Sequence, residues 1–120
     1  MESTIYKLEN TPLVSGHTAV TRNATIASTG SDVTYPRGTV FGRVTATRKL
    51  KKWDPAAADG SETIVWIAGL SVTVPAAGDI KATGYIHGAF YRNALDFGAA
   101  TAEQIDDAVW AMSANGMYVD

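Results

Sequence analysis

The stretch Gly38 to Val74, GTVFGRVTATRKLKKWDPAAADGSETIVWIAGLSVTV, decides the fold. Within it Thr39, Phe41, Arg43 and Thr45 alternate with Val40, Gly42, Val44 and Ala46. This period of two, rich in β-branched residues, predicts a half-buried strand with Val40 and Val44 on one face. Lys49, Lys51 and Lys52, broken by Leu50 and ended by Trp53, predict an exposed strand at a lysine-guarded sheet edge with one or two inward anchors. Asp54-Pro55 and Asp59-Gly60 are turn pairs: Pro fixes φ at a turn's entry, Asp bonds its own downstream backbone, and Gly accepts positive φ. Thr63 to Ala68 form an apolar run, and Leu70 to Val74 alternate again. Together they predict a long apolar strand, with Gly69 marking a bulge or a close backbone approach. The stretch holds no nucleophile facing a base, which is the pattern of a scaffold.

Upstream, residues 1 to 23 are polar apart from a short patch at Ile5, Tyr6 and Leu8. So little apolar surface does not offset the ~1 to 2 kcal/mol per residue of backbone ordering, and a flexible N-terminal arm is expected there. Thr4, Ile5, Tyr6, Lys7 and Leu8 nonetheless alternate with good strand chemistry, which suits them to add to an exposed sheet edge on a partner. On composition alone a plain disordered leader is an equal alternative. Ala24 to Ser28 predict a short strand, Thr29 to Asp32 a turn, and Tyr35 to Gly38 a corner.

Downstream, Pro75, Gly78 and Asp79 predict a loop. Ile80, Ala82, Gly84, Ile86 and Gly88 then alternate with Lys81, Thr83, Tyr85 and His87, a further strand whose glycines leave room for a neighbour. Thr101 to Gly116 read as a helix: Thr101 and Gln104 form a capping box, Glu103 suits the N-terminal dipole, and Gly116 supplies a stop. Ile105, Ala108, Val109 and Met112 make its apolar stripe. Trp110 lies about 140° from Ile105, outside that stripe, where it either covers a barrel end or meets a neighbouring subunit. Met117 to Val119 predict a last short strand. The fold class is therefore mainly β (α+β): a small antiparallel partial β-barrel with one C-terminal α-helix. The arm is assigned to residues 1–23 and a single β-rich domain to residues 24–120.

A chain of 120 residues makes one domain with a modest core. A net charge of -2 gives no broad positive field, so neither nucleic acid nor an anionic membrane is expected as a partner. The absence of cysteine removes disulfides and thiol catalysis. No apolar run approaches the ~20 residues of a membrane span, and Met1 to Thr4 lack the layout of a signal peptide.

Candidate chemistry is sparse. His17 and His87 are the only imidazoles, too few and too isolated for a zinc site, and both are expected to be solvated. Asp54 and Asp59 sit in a loop where Pro55 and three alanines replace the alternating oxygen ligands of a calcium site. No spacing pairs Asp54, Asp59, Glu62 or Asp96 for glycoside hydrolysis. No catalytic, cofactor-binding or metal-binding residue is expected, and no enzyme.

Lys49 to Thr63, KLKKWDPAAADGSET, followed by an apolar strand, resembles the middle of the head decoration proteins of lambda-type tailed bacteriophages. The resemblance runs in order from Gly38-Thr39-Val40-Phe41-Gly42 to Gly88-Ala89-Phe90 and the C-terminal helix, covering roughly residues 24 to 120. Trp66 departs from it, standing where a smaller residue is expected. The resemblance implies a homotrimer at the threefold positions of an expanded icosahedral head, binding the major capsid protein and stabilising the shell against internal DNA pressure. It implies a virion location on the outer head surface after synthesis in the host cytoplasm, and an arm used against the capsid through Thr4 to Leu8. Trp53, Asp54, Pro55, Trp66 and Trp110 become candidates for contacts between subunits. The alternative is a carbohydrate-binding or host-recognition β module, with Trp53, Trp66, Trp110 and tyrosines as stacking surfaces in an exposed groove.

Overall fold

The computed structural model describes residues 19–119. Five strands close into a barrel: β1 (Val20–Ile26), β3 (Val40–Arg43), β4 (Leu50–Lys52), β5 (Ile64–Ala68) and β7 (Ile80–Phe90), in the order β1-β4-β3-β5-β7 with β7 pairing back onto β1. The closing pair is also the longest, running antiparallel from Val20 opposite His87 to Ile26 opposite Ile80. β2 (Val33–Tyr35) and β6 (Val72–Val74) form a separate two-stranded ribbon. Helix α1 (Ala102–Ser113) follows a short 3-10 turn, and β8 (Met117–Val119) adds to β7 as an extra parallel strand.

The mainly β class with one helix stands, and the barrel is closed rather than partial. Closure changes the role of β4. It pairs antiparallel with β3 and in parallel with β1 through Ile26 and Leu50, so it is a member of the ring and not the last strand of an open sheet. The long apolar strand divides: β5 ends at Ala68, Gly69 donates its amide to the Thr83 carbonyl, and the chain leaves the barrel to build β6 against β2. β1 begins at Val20, so residues 20–23 belong to the sheet and not to the arm. Their side chains are exposed, and backbone pairing with β7 holds the strand where apolar burial does not.

Each barrel strand has an inner and an outer face. Ile26, Phe41, Leu50, Trp66 and Ala68 form the inner core, with Ala82 and Ile86 of β7 packed against it, so all five strands contribute. Tyr35 and Val74 bring the buried face of the β2–β6 ribbon onto the same cluster. Val40, Ile64, Ile67 and Tyr85 point outward and pack with Phe90, Met112 and Met117, joined by Ile105, Ala108 and Val109 of the helical stripe.

The run Ile64 to Ala68 does not alternate strictly because a bulge lies at Val65, while Gly69 makes the close backbone approach expected of it, a Cβ there lying 3.2 Å from the Thr83 carbonyl oxygen. Phe41 pairs with Trp66 and Gly42 with Ile64, leaving Val65 as the extra residue. The bulge turns Val65 and Trp66 both inward while Ile64 and Ile67 both join the outer core. Trp66 then fills the barrel. It meets Phe41 edge-on at 5.3 Å between ring centroids and donates its indole N–H to the Arg22 carbonyl at 2.9 Å. Gly84 provides the space, since a Cβ there would lie 2.4 Å from the indole.

The helix begins as expected. The Gln104 amide donates to Thr101 Oγ1 (3.2 Å), and the Thr101 amide donates to Gln104 Oε1 (2.9 Å).

Trp66→Ala is expected to lower unfolding free energy in urea by about 3–5 kcal/mol, the range for emptying a large aromatic site in a core. Trp110→Ala, at a side chain 73% exposed, should stay within about 0.5 kcal/mol of the parent.

Candidate functional site

The segment from Trp53 to Glu62 is a self-bonded turn. Trp53 is buried at its start, donates its indole N–H to the Glu62 carbonyl (2.8 Å) and stacks edge-on against Phe97. Both ends of the loop are thereby pinned to one side chain. Asp54 accepts the Ala56 amide (3.0 Å), while Asp59 accepts the amide (3.0 Å) and hydroxyl (2.6 Å) of the buried Ser61. Gly60 takes φ +108 and lies so close to Arg43 that a Cβ would meet its carbonyl oxygen at 2.5 Å. One oxygen each of Asp54 and Asp59 is thus spent on the loop itself, as turn residues do.

Two ion pairs tie the β3–β4 hairpin to its surroundings. Lys51 Nζ reaches Asp59 (3.2 Å), and Lys49 Nζ reaches Asp79 (2.6 Å), whose other oxygen accepts the Ser28 amide (2.8 Å). Hydrogen bonds from the Ser61 hydroxyl and amide, with Lys51 beside them, hold the Asp59 carboxyl down at about 2. Lys49, then the Ser28 amide, hold Asp79 below the ordinary carboxylate range.

The exposed apolar surface lies elsewhere. Trp110 projects from α1 at 73% exposure, Leu70 from the β5–β6 connection at 66%, and Tyr118 from β8 at 42%. His87 stacks edge-on against Tyr118 and is paired in register with Val20. The first described residues of the chain therefore run past this edge. His87 also packs against the turn after α1, where a Cβ on Gly116 would come within 2.6 Å of its ring. It is a structural contact rather than a solvated imidazole.

Of the residues expected at contacts between subunits, Trp53 (6% exposed) and Trp66 (2%) are largely buried within the chain and show only their margins in surface clefts. Their main work is within the chain, where the first pins a loop and the second fills the barrel. Asp54, Pro55 and Trp110 remain at the surface, Trp110 without covering a barrel end. For the groove of stacking aromatics, Trp53 and Trp66 offer only edges to the clefts they line. Trp110, Tyr91 and Tyr118 line none of the clefts at the β1–β4 seam, beside the β2–β6 ribbon or under Trp53. Thr4 to Leu8 and His17 lie outside the described residues. Leu70 and Tyr118 were missed, because a lone apolar residue in a turn or a three-residue strand carries no periodic signal.

A family model described as bacteriophage lambda head decoration protein D matches residues 7–117 of the chain. No curated protein gives a significant match.

Asp59→Asn keeps the oxygen that Ser61 donates to and removes the charge. A carboxyl held near 2 when folded and near 3.8 when free contributes stability that is fully present above the higher value. It is lost as pH falls through the lower one. The melting-temperature gap between parent and Asp59→Asn should be constant above about pH 5 and shrink between about pH 4 and pH 2. A gap that does not change over that window would contradict the assignment.

Proposed function

The chain belongs to the bacteriophage lambda head decoration protein D family, and from that premise we propose that it clamps an expanded phage head from outside, as trimers at threefold positions, against the pressure of packaged DNA. The observation that carries this reading is the extent of the family match, which spans the barrel, the ribbon and the helix together. The family is one of structural head proteins, so a place on the virion and a capsid partner follow from membership.

The geometry fits work done by surfaces. Barrel closure leaves few strand edges for self-association, and the Asp59 carboxylate is engaged by Ser61 and Lys51 of the same chain. Contact falls instead to Trp110, Tyr118 and Leu70, which sit on three different elements. We place Trp110, with Asp54 and Pro55, between copies of the chain, and Thr4 to Leu8 against the capsid as an added strand. Three arms on one trimer multiply weak individual contacts, because once one is docked the others bind at high effective concentration. No turnover is required of such a clamp. Synthesis in the host cytoplasm, with assembly onto the head afterwards, completes the proposal.

Cosedimentation with expanded and unexpanded shells tests it. Saturable binding to expanded shells alone, in multiples of three per threefold site, is the expected result. A variant lacking residues 1–18 should melt within a degree or two of the parent and fail to dock. Docking by that variant equal to the parent's would sink the role of the arm, and absence of parent binding to either shell would sink the decoration reading.

A further inference from the structure

The seam between β1 and β4 is the weakest join of the barrel. Only Ile26 and Leu50 pair across it, extended by the Ala27 amide donating to the Leu50 carbonyl at 2.9 Å. Beside that pair lies a cleft of about 350 Å³. Four consecutive residues of β1, 22–25, line it, so the wall is the backbone edge of the strand and not one of its side-chain faces. Arg43 and Arg48 line it too, with Leu50, Val65 and Trp66 contributing apolar surface. No carboxylate lines it.

The cations of this region divide into two kinds. Lys49 and Lys51 each hold a carboxylate. Among the described residues Arg22, Arg43 and Arg48 meet none, and the Arg43 Nε donates only to the Arg48 carbonyl (3.3 Å). Arg48 also takes φ 62, the single non-glycine positive φ among the described residues. The Arg48 amide donates to the Val44 carbonyl (2.8 Å) and the Val44 amide to the Lys49 carbonyl (2.9 Å), which fixes that conformation. Glycine would close the same turn with less strain, so the guanidinium adds something other than turn geometry.

We infer that this seam cleft binds an extended, acidic peptide segment of the capsid partner, whose backbone runs along the free edge of β1 and whose carboxylates meet Arg22, Arg43 and Arg48. The inference rests on the decoration reading for the source of the segment, while the chemistry rests on the cleft. An open strand edge recruits extended backbone. Guanidinium groups bind carboxylates through two parallel hydrogen bonds, which selects acidic side chains over neutral ones. Trp66 lies in the cleft lining with its indole N–H on the Arg22 carbonyl, so it reports on anything seated there.

The test titrates the full chain at low salt with a blocked Thr-Glu-Val-Glu-Val-Thr peptide and with its Gln-for-Glu counterpart, following the Trp66 indole N–H by NMR. The glutamate peptide should shift that signal and bind at least about tenfold more tightly than the glutamine one, as expected for charge-assisted pairs. Arg22→Ala/Arg43→Ala should weaken binding about tenfold or more. Arg48→Gly relieves the left-handed strain, so it should melt at or above the parent's temperature and still bind more weakly, which separates lost binding from lost folding. Equal binding of the two peptides, or parent-like binding by both variants, overturns the site. Tighter peptide binding by Glu2→Gln/Glu9→Gln would assign the cleft to the chain's own first residues and overturn the capsid source. So would shell docking by Arg22→Ala/Arg43→Ala equal to that of the parent. Failure of the parent to bind shells would refute the decoration reading and leave the titration to judge the cleft.

Discussion

The Trp66 indole is the constraint on which the barrel depends. Five strands of three to eleven residues enclose a narrow interior, and one large ring fills much of it. Burying a tryptophan removes roughly 150–250 Å² of surface from water, worth on the order of 4–6 kcal/mol, and each edge-on aromatic contact adds about 0.5–1.5 kcal/mol. Three separate features serve that placement. The bulge at Val65 turns the ring inward, Gly84 opens the opposite wall, and the Arg22 carbonyl accepts the indole N–H. The last of these ties β5 to β1, whose own pairing with β4 is a single residue long.

Closure also sets how the molecule meets others. A sheet whose strands pair around a ring has few open ladders with which to join copies of itself. What remains is the two edges of the β2–β6 ribbon, the β8 edge, the β1–β4 seam, the outer side of α1 and whatever the N-terminal residues contribute. The outer core under α1 and the inner core within the barrel share the same strands, with Ile67, Tyr85 and Met112 packed together on the outer side.

The sequence showed the helix in full, because cap, stripe and stop all lie within one short window. β3 and the first part of β7 were visible as alternation, and Gly84 as a place kept open for a neighbour. The neighbour itself was not visible. Trp66 stands out as a departure from the resemblance, but Ile64-Val65-Trp66-Ile67 is apolar throughout and carries no period from which a bulge can be read. β2 and β6 are three residues each, too short to alternate convincingly, and closure depends on β1 meeting β7 some sixty positions later. The start of β1 was hidden for a different reason. Val20 to Asn23 are held by backbone bonds with their side chains in solvent, so composition reads them as arm. Of the candidate site residues, Trp110 was legible as lying off the helical stripe, whereas Trp53 and Trp66 look like surface aromatics only until the loop and the barrel are built around them.

The most direct measurement of the central claim is a cryo-electron microscopy reconstruction of expanded shells saturated with the protein, compared with bare shells. The account predicts added density at the threefold positions that accommodates three copies of the closed barrel, with Trp110 facing a neighbouring copy and the N-terminal residues running into the capsid. Density confined to other lattice positions, or single barrels seated without neighbours, would contradict it.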